Sequence, residues 1–204
     1  LFAPDASSAG KRALKNILLV FISVNSGHPA IAAKEFHSAT NMTDRLAALH
    51  ILCSRFSETS HAGQALQEFE NRHGHDSLTM DKWFATQAIT PGPRTLERII
   101  GLTKHKAFSF ANPNRMRSLI CTFATSNPTG FHRADGSGYR FISDFVLELD
   151  TKNPQTAARI LTAMRSWRSL EPGRREHARL ALASIAAAKS LSADVRDIVD
   201  RVLA

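Results

Sequence analysis

Three groups of residues have types and spacings suited to chemistry. His73-Gly74-His75-Asp76 places two imidazoles and a carboxylate side by side, all of them metal donors. A catalytic zinc takes three protein ligands in a tetrahedral arrangement, and two histidines two apart on a loop are a weak version of that set. The same four residues read better as a helix end, with Gly74 at C′ and Asp76 opening the next helix. The remaining histidines are scattered. None forms H-E-x-x-H, and Arg175-Glu176-His177 has the order reversed with no partner histidine. The second group, Asp135-Gly136-Ser137-Gly138-Tyr139, has the glycines of a phosphate cradle. Such a cradle runs from a strand into a helix N-terminus. No strand pattern precedes this loop and no GK[ST] follows it. A helix–helix turn fits better, with Gly136 and Gly138 in left-handed backbone and Asp135 or Ser137 capping the following helix. No serine or cysteine sits in a nucleophile elbow.

The third group consists of Arg117, Gln155 and Arg159. Arg117 falls about 100° around its helix from Met116, at the edge of the apolar stripe. Arg159 lies away from Ile160 and Met164, and Gln155 is one turn before it on the same face. Donors set beside an apolar stripe can line the concave surface of a curved helical stack.

These residues are held by helices. Met116, Leu119, Ile120 and Phe123 follow the i, i+3, i+4, i+7 rule, and Ala157, Ile160, Leu161, Met164 and Trp167 do much the same along 154–169. Leu46, Leu49, Ile51, Leu52 and Phe56 form another stripe. Near the N-terminus Leu14, Leu18 and Phe21 align, flanked by Ile17 and Ile22, and the run 17–24 has the length of a buried helix. The stretch 139–149 alternates as a strand would, yet Phe141, Phe145 and Leu149 also repeat at i, i+4, i+8, and its helical neighbours favour a helix. Asn112-Pro113 and Asn153-Pro154 are helix starts, because Asn caps a free N–H and Pro at N1 gives up none. Asn41 with Asp44 resembles a capping box, and Ser192 precedes the last helix. About a dozen helices of roughly 8–18 residues with short joints leave a bundle or a stack of antiparallel helix pairs. No fixed-period repeat marks the stack.

The chain has 204 residues, 43% hydrophobic and 22% charged, which suffices for a sizeable core. Its net charge of +8 is uneven: residues 103–204 carry 16 basic and 9 acidic side chains, against 10 and 9 before them. That asymmetry invites an anionic partner. Aromatic residues are not interleaved with the basic ones, so nucleic acid is not expected. No apolar run reaches the roughly 18 residues that span a bilayer. Cys53 and Cys121 lie in apolar helical patterns as reduced packing residues, and with no export signal visible the expected location is cytoplasmic. A Pro/Ser/Gly-rich opening without an initiator Met suggests a segment cut from a longer protein, with residues 1–10 as linker and 11–204 as the domain.

Six blocks together resemble a known family: "NMTDRLAAL" (41–49), "DKWFATQA" (81–88), "NPNRMRSL" (112–119), "FHRADGSGY" (131–139), "NPQTAAR" (153–159) and "LSADV" (191–195). They are similar, in order, to the C-terminal domain of bacterial aminopeptidase N, a zinc aminopeptidase of the H-E-x-x-H group. The resemblance implies an all-α superhelical stack of the armadillo/HEAT kind. It implies a non-catalytic domain that closes the substrate chamber of its enzyme and controls peptide access, with the upstream catalytic domain and peptide substrates as partners. Arg117, Gln155 and Arg159 match chamber-lining positions. The family's zinc helix and its Gly-x-Met-Glu-Asn motif are absent, so neither a cofactor nor peptide cleavage carries over to these residues; zinc belongs to the parent enzyme. The stretch "ENRHGHDS" departs from the family's more aromatic and acidic pattern. An apolar patch meeting the rest of the enzyme is also expected. An independent helical scaffold binding a peptide on its concave face is the alternative.

Overall fold

The computed structural model describes residues 3–204, and every regular element among them is helical. The chain divides into two compact units, Leu1–Thr86 and Gln87–Ala204. The first holds α1 (Ala6–Ser26), α2 (Ala30–Ser38), α3 (Met42–Arg55), α4 (Ser60–His73) and most of α5 (Ser77–Ile89). Residues 6–10 of the stretch expected to be linker are therefore helical, capped by Asp5, which accepts from Ser8 N–H at 2.9 Å. Residues 1 and 2 of that stretch lie outside the described residues.

In the first unit α2 and α3 pack together and α3 also contacts α1 and α4. Phe36, Leu49, Leu52, Phe69 and Phe84 are fully buried. The Trp83 indole donates to the Leu66 carbonyl at 2.9 Å and ties α5 to α4. The Asn41–Asp44 cap forms as expected on its first leg: Asn41 Oδ1 accepts from Asp44 N–H at 3.0 Å. The Asp44 carboxylate turns to side chains instead of the backbone, accepting from Asn41 Nδ2 at 3.0 Å, Asn16 Nδ2 at 3.1 Å and Lys15 Nζ at 2.9 Å. Two residues of α1 are thereby fixed to the start of α3. The expectation for the run 17–24 fails: only Leu19 and Ser23 of α1 are buried, while Leu14, Ile17, Leu18, Phe21, Ile22 and Val24 are exposed. Asp44 fixes the polar side of the helix inward, which turns the stripe outward.

The second unit contains α6 (Thr95–Leu102), α7 (Pro113–Met116), α8 (Thr122–Ser126), α9 (Pro128–Phe131), α10 (Ser137–Asp150), α11 (Pro154–Leu161), α12 (Pro172–Ala186) and α13 (Ala193–Leu203). All three Asn-Pro pairs open helices. Asn112 Oδ1 accepts from Asn114 and Arg115 N–H, Asn127 Oδ1 from Gly130, and Asn153 Oδ1 from Thr156. Ser192 caps α13 through Val195 N–H at 3.2 Å and itself donates twice to buried Asp150 at the end of α10. The stretch 139–149 is helical, inside α10. Trp167, expected in one helix with Ile160, instead follows one 3₁₀ turn, Thr162–Met164, and opens a second, Trp167–Ser169. Thr162 Oγ1 takes the Arg159 carbonyl at 2.6 Å, a side-chain bond of the kind that competes with helix continuation.

Two glycine expectations need correction. Gly136 is left-handed at φ 70°, but Gly138 is helical, and it is required for a different reason: a Cβ there would overlap the Phe131 carbonyl oxygen. Asp135 caps the turn, accepting from Ser137 N–H at 2.9 Å. Gly74 has φ −60°, not the left-handed value of a C′ glycine, because its N–H still reaches Glu70 O at 2.7 Å and prolongs the helix. Asp76 does open α5, accepting from Thr79 N–H at 2.6 Å.

The buried Asn127 side chain makes four hydrogen bonds, one of them accepted from the Thr129 hydroxyl at 3.2 Å. Besides capping α9 it donates Nδ2 to Ala88 O at 2.8 Å and Thr90 O at 3.0 Å, the carbonyls at the end of α5. Asn127→Ala removes all four and leaves a buried N–H and carbonyl short of partners, at about 1–3 kcal/mol for each such group. Partial relaxation brings the expected loss to about 3–4 kcal/mol, measured by urea denaturation, and a loss below about 1 kcal/mol would refute this role.

Asp44 supplies a pH-dependent test. Burial pushes its carboxyl up, but the bonds from Lys15, Asn41 and Asn16 outweigh burial and hold it below the usual range. A carboxyl depressed in the folded state contributes stability that is present above its unfolded pKa and lost as pH falls through the folded value. Asp44→Asn is expected to cost about 1–2 kcal/mol at neutral pH, the lower part of the range for charged hydrogen bonds because Lys15 is half exposed. The difference from wild type should shrink steadily below about pH 4; a gap independent of pH would sink the assignment.

Candidate functional site: an arginine pair around Cys121

The helix that carries Arg117 starts at the Asn112-Pro113 cap and does not stay α-helical. Residues Arg117–Cys121 form a π turn, in which Thr122 N–H reaches back to Arg117 O. The Thr122 hydroxyl donates to the same carbonyl at 3.0 Å. A π turn within an α-helix frequently marks a functional segment. Met116, Leu119, Ile120 and Phe123 still point into the core, all fully buried. Arg117 is exposed, with its guanidinium on the Asn114 side-chain oxygen.

Gln155 and Arg159 are both exposed on α11, while Ala157, Ala158, Ile160 and Leu161 are buried. The two arginines meet electrostatically at Cys121, a half-buried free thiol. Burial pushes that thiol up, and the charges of Arg159 and then Arg117 act in the opposite direction. Cys121 was expected only as packing. The influence of both guanidinium charges on it was not legible in the sequence, because the two arginines are 42 residues apart and share no spacing rule.

Neither arginine is neutralised, a property they share with Arg165 and Arg175. Arg174, Arg179 and Arg201 pair with Glu171, Glu176 and Asp197 on their own helices or caps, and Arg133 pairs with Asp135. Among the described residues no carboxylate lies within ion-pair distance of Arg117 or Arg159. A guanidinium presents a fixed fork of donors that matches a carboxylate or a pair of carbonyls. Gln155 adds a donor and an acceptor one turn away.

A second opening is a cavity of about 630 Å³ lined by Pro128, Thr129, His132, Arg133, Leu170 and Arg174, among others. Its polar groups are largely engaged. Arg174 Nε donates to His132 O at 2.6 Å, Arg133 Nη1 to Pro93 O at 2.8 Å, and His132 Nδ1 contacts the Tyr139 hydroxyl at 2.8 Å. Burial pushes the Tyr139 phenol up to about 12 and, with the Arg174 charge, the His132 imidazole down. This cavity holds the loop together and offers little unspent charge.

The histidine pair does not assemble a metal centre. His73 sets its ring against Phe69 at a tilt of 56°, 4.9 Å between centroids, and burial with the Arg45 and Arg72 charges lowers its basicity. His75 is exposed. No three His, Cys, Asp or Glu side chains converge among the described residues, so the residues here do not fit a catalytic zinc.

Paired helices, with no strand among the described residues, define an all-α protein of the armadillo type. Residues 1–204 match the family model described as "Domain of unknown function (DUF3458_C) ARM repeats". The chain belongs to that family. It is 38% identical over 196 residues to aminopeptidase N of Escherichia coli (strain K12), covering 95% of this chain and 22% of that protein. It is 37% identical over 204 residues to aminopeptidase N of Caulobacter vibrioides, covering 99% of this chain and 23% of that protein. Among solved structures, aminopeptidase A of Legionella pneumophila in complex with aspartic acid superposes with a TM-score of 0.90 at 29% identity, covering 98% of this chain and 23% of that one. The chain thus spans less than a quarter of these relatives' length.

The thiol reports on both arginines. The midpoint pH for alkylation of Cys121 should lie above that of an ordinary thiol, and Arg159→Ala or Arg117→Ala should move it higher still, because each removes a charge that favours thiolate. Access changes alter the limiting rate at high pH, not the midpoint. Mass-resolved alkylation profiles showing an unmoved midpoint would place the arginines elsewhere.

Proposed function

We propose that this chain is the non-catalytic C-terminal part of a zinc-dependent aminopeptidase N, where it closes the substrate chamber and controls peptide access. The observation that carries the reading is the match to aminopeptidase N relatives across nearly the whole chain at 37–38% identity. Because the chain spans under a quarter of each, catalysis and zinc are assigned to the remainder of the polypeptide. That enzyme removes N-terminal residues from peptides and works in the cytoplasm. Among the described residues no helix is long and apolar enough to cross a membrane.

In this reading Arg117, Gln155 and Arg159 face the chamber. Their exposure and the lack of a carboxylate partner for either arginine leave their charge and donors available for a peptide's carbonyls or terminal carboxylate. Such a contact acts remotely from bond cleavage, and it adds positive charge where an anionic peptide end would sit.

The test uses the full-length enzyme. Replacing Arg117 or Arg159 with Ala should raise KM for tri- and tetrapeptides while kcat changes little, the signature of lost uniform binding. A charge-assisted hydrogen bond of about 1.5–3 kcal/mol corresponds to roughly 10- to 100-fold, less if water stays in the chamber. A single-residue chromogenic amide is too short to reach these side chains and should be handled nearly as well as before. Equal losses on short and long substrates would remove the chamber assignment.

A further inference from the structure

Where α11 ends, the chain changes pitch. Arg165 N–H donates to Thr162 O at 3.2 Å, Ser169 N–H to Ser166 O at 3.0 Å and Leu170 N–H to Trp167 O at 3.2 Å, each a bond across three residues. Side chains three apart eclipse in such turns. Thr162, Arg165 and Arg168 are spaced by three, so the two 3₁₀ turns bring them toward one row. In a continued α-helix each step of three swings back by about 60°, which would carry Arg168 about 120° away from Thr162. Ile198, Arg201 and Val202 repeat at i, i+3, i+4 and share one face of α13. The row and the face line a hollow of about 290 Å³, six residues in all.

Three of the six are arginines, and none is acidic. Arg165 is exposed, and its side chain makes no hydrogen bond or ion pair among the described residues. Arg168 is held in place: its guanidinium packs on the Trp167 ring at 4.6 Å and donates to Val202 O at 3.1 Å and Leu203 O at 2.5 Å. Those bonds leave other N–H groups of its fork unused. Arg201 pairs with Asp197 at 2.8 Å, with the two side chains 73% and 51% exposed, and an exposed pair of this kind is weak enough to yield to another anion. Half-buried Ile198 and Val202 give the hollow an apolar wall. The larger cavity beside His132 differs, because its arginines are pinned to Pro93 O, His132 O and carboxylates of their own.

We infer that this hollow is an oxyanion site that takes a phosphate monoester of a small organic molecule. The phosphate sits among Arg165, Arg168 and Arg201, and the organic part lies against Ile198 and Val202. A carboxylate is satisfied by one guanidinium fork in a planar pair. Several forks around one hollow suit a dianion with three terminal oxygens. The volume is at the lower end of small-molecule sites, which suits a ligand of this size. None of the three arginines has a part in the chamber reading, and the inference stands without it.

Protection from arginine modification tests it in the full-length polypeptide. Phenylglyoxal labelling, resolved residue by residue by mass spectrometry, should slow roughly fivefold at Arg165 when phenyl phosphate is near saturation. Arg175 is exposed and also lacks a carboxylate, but it lies outside the hollow and should label at its usual rate. Half-protection by phenyl phosphate should need a roughly threefold lower concentration than by inorganic phosphate, which cannot reach the apolar wall. It should need a roughly tenfold lower concentration than by benzoate, a single-charged planar anion. In calorimetric titrations Arg165→Ala, which removes a side chain without internal partners, should weaken phenyl phosphate about tenfold. Arg165→Lys keeps the charge without the fork and should recover only part of that loss. Equal protection of Arg175, benzoate or inorganic phosphate matching phenyl phosphate, or unchanged affinity in Arg165→Ala would each overturn the inference. None of these readouts involves peptide turnover, so the chamber reading stands or falls separately.

Discussion

The second unit depends on the satisfaction of backbone groups where helices end, and Asn127 is the clearest case. α5 stops at Ile89, leaving terminal carbonyls in a place water does not reach. One side-chain amide resolves both ends of the joint. Its nitrogen serves Ala88 O and Thr90 O, and its oxygen starts α9 through Gly130 N–H. The Thr95 hydroxyl adds a further donor to Thr90 O at 2.9 Å. Gly130 has to be small here, since a Cβ would press on Asn127 Oδ1 and Phe123 at 3.0 Å. The aromatic cluster of Phe123, Phe131 and Phe141 then packs around a joint whose polar groups are already paired.

The same device recurs with other side chains. Asp150 at the end of α10 receives both donors of Ser192, which caps α13, while the Ser143 hydroxyl bridges α10 to the Ala181 carbonyl of α12 at 3.1 Å. The Trp167 indole and the Arg168 guanidinium take the last carbonyls of α13. Short helices forfeit a large share of their backbone bonds at the termini, so a stack of short helices stays together only if those groups find partners in neighbouring helices.

This explains what the sequence discloses. Caps are local, and Asn112, Asn153, Asn41 and Ser192 announce their helices without help from the fold. Stripes are local too, and Met116 to Phe123 lies in the core as its periodicity requires. Periodicity does not say which side of an apolar helix faces inward, and α1 is where that gap shows: its inner arc is chosen by Asp44, a residue of another helix. Nor does it reveal a π turn, which keeps the same buried set while changing the hydrogen-bond ladder. Gly138 was legible as a required glycine but for the wrong reason, because the backbone it must avoid belongs to Phe131. The Arg117–Cys121–Arg159 grouping depends on how two helices lie together, which no spacing encodes.

The charge distribution gains meaning from that grouping. Residues 103–204 hold most of the net positive charge, and a simple reading spreads it over a solvated surface. In the structure part of that charge is paired. Arg133, Arg174, Arg179 and Arg201 have carboxylates beside them, and Arg168 and Arg196 serve backbone carbonyls. Their charge is consumed locally, in pairs that contribute little when exposed. Arg117 and Arg159, like Arg165 and Arg175, have no carboxylate beside them, and the first two raise the potential at the half-buried Cys121 thiol. Among the described residues Arg117 reaches only Asn114 on its own helix and Arg159 makes no side-chain bond, so neither ties its helix to a neighbour.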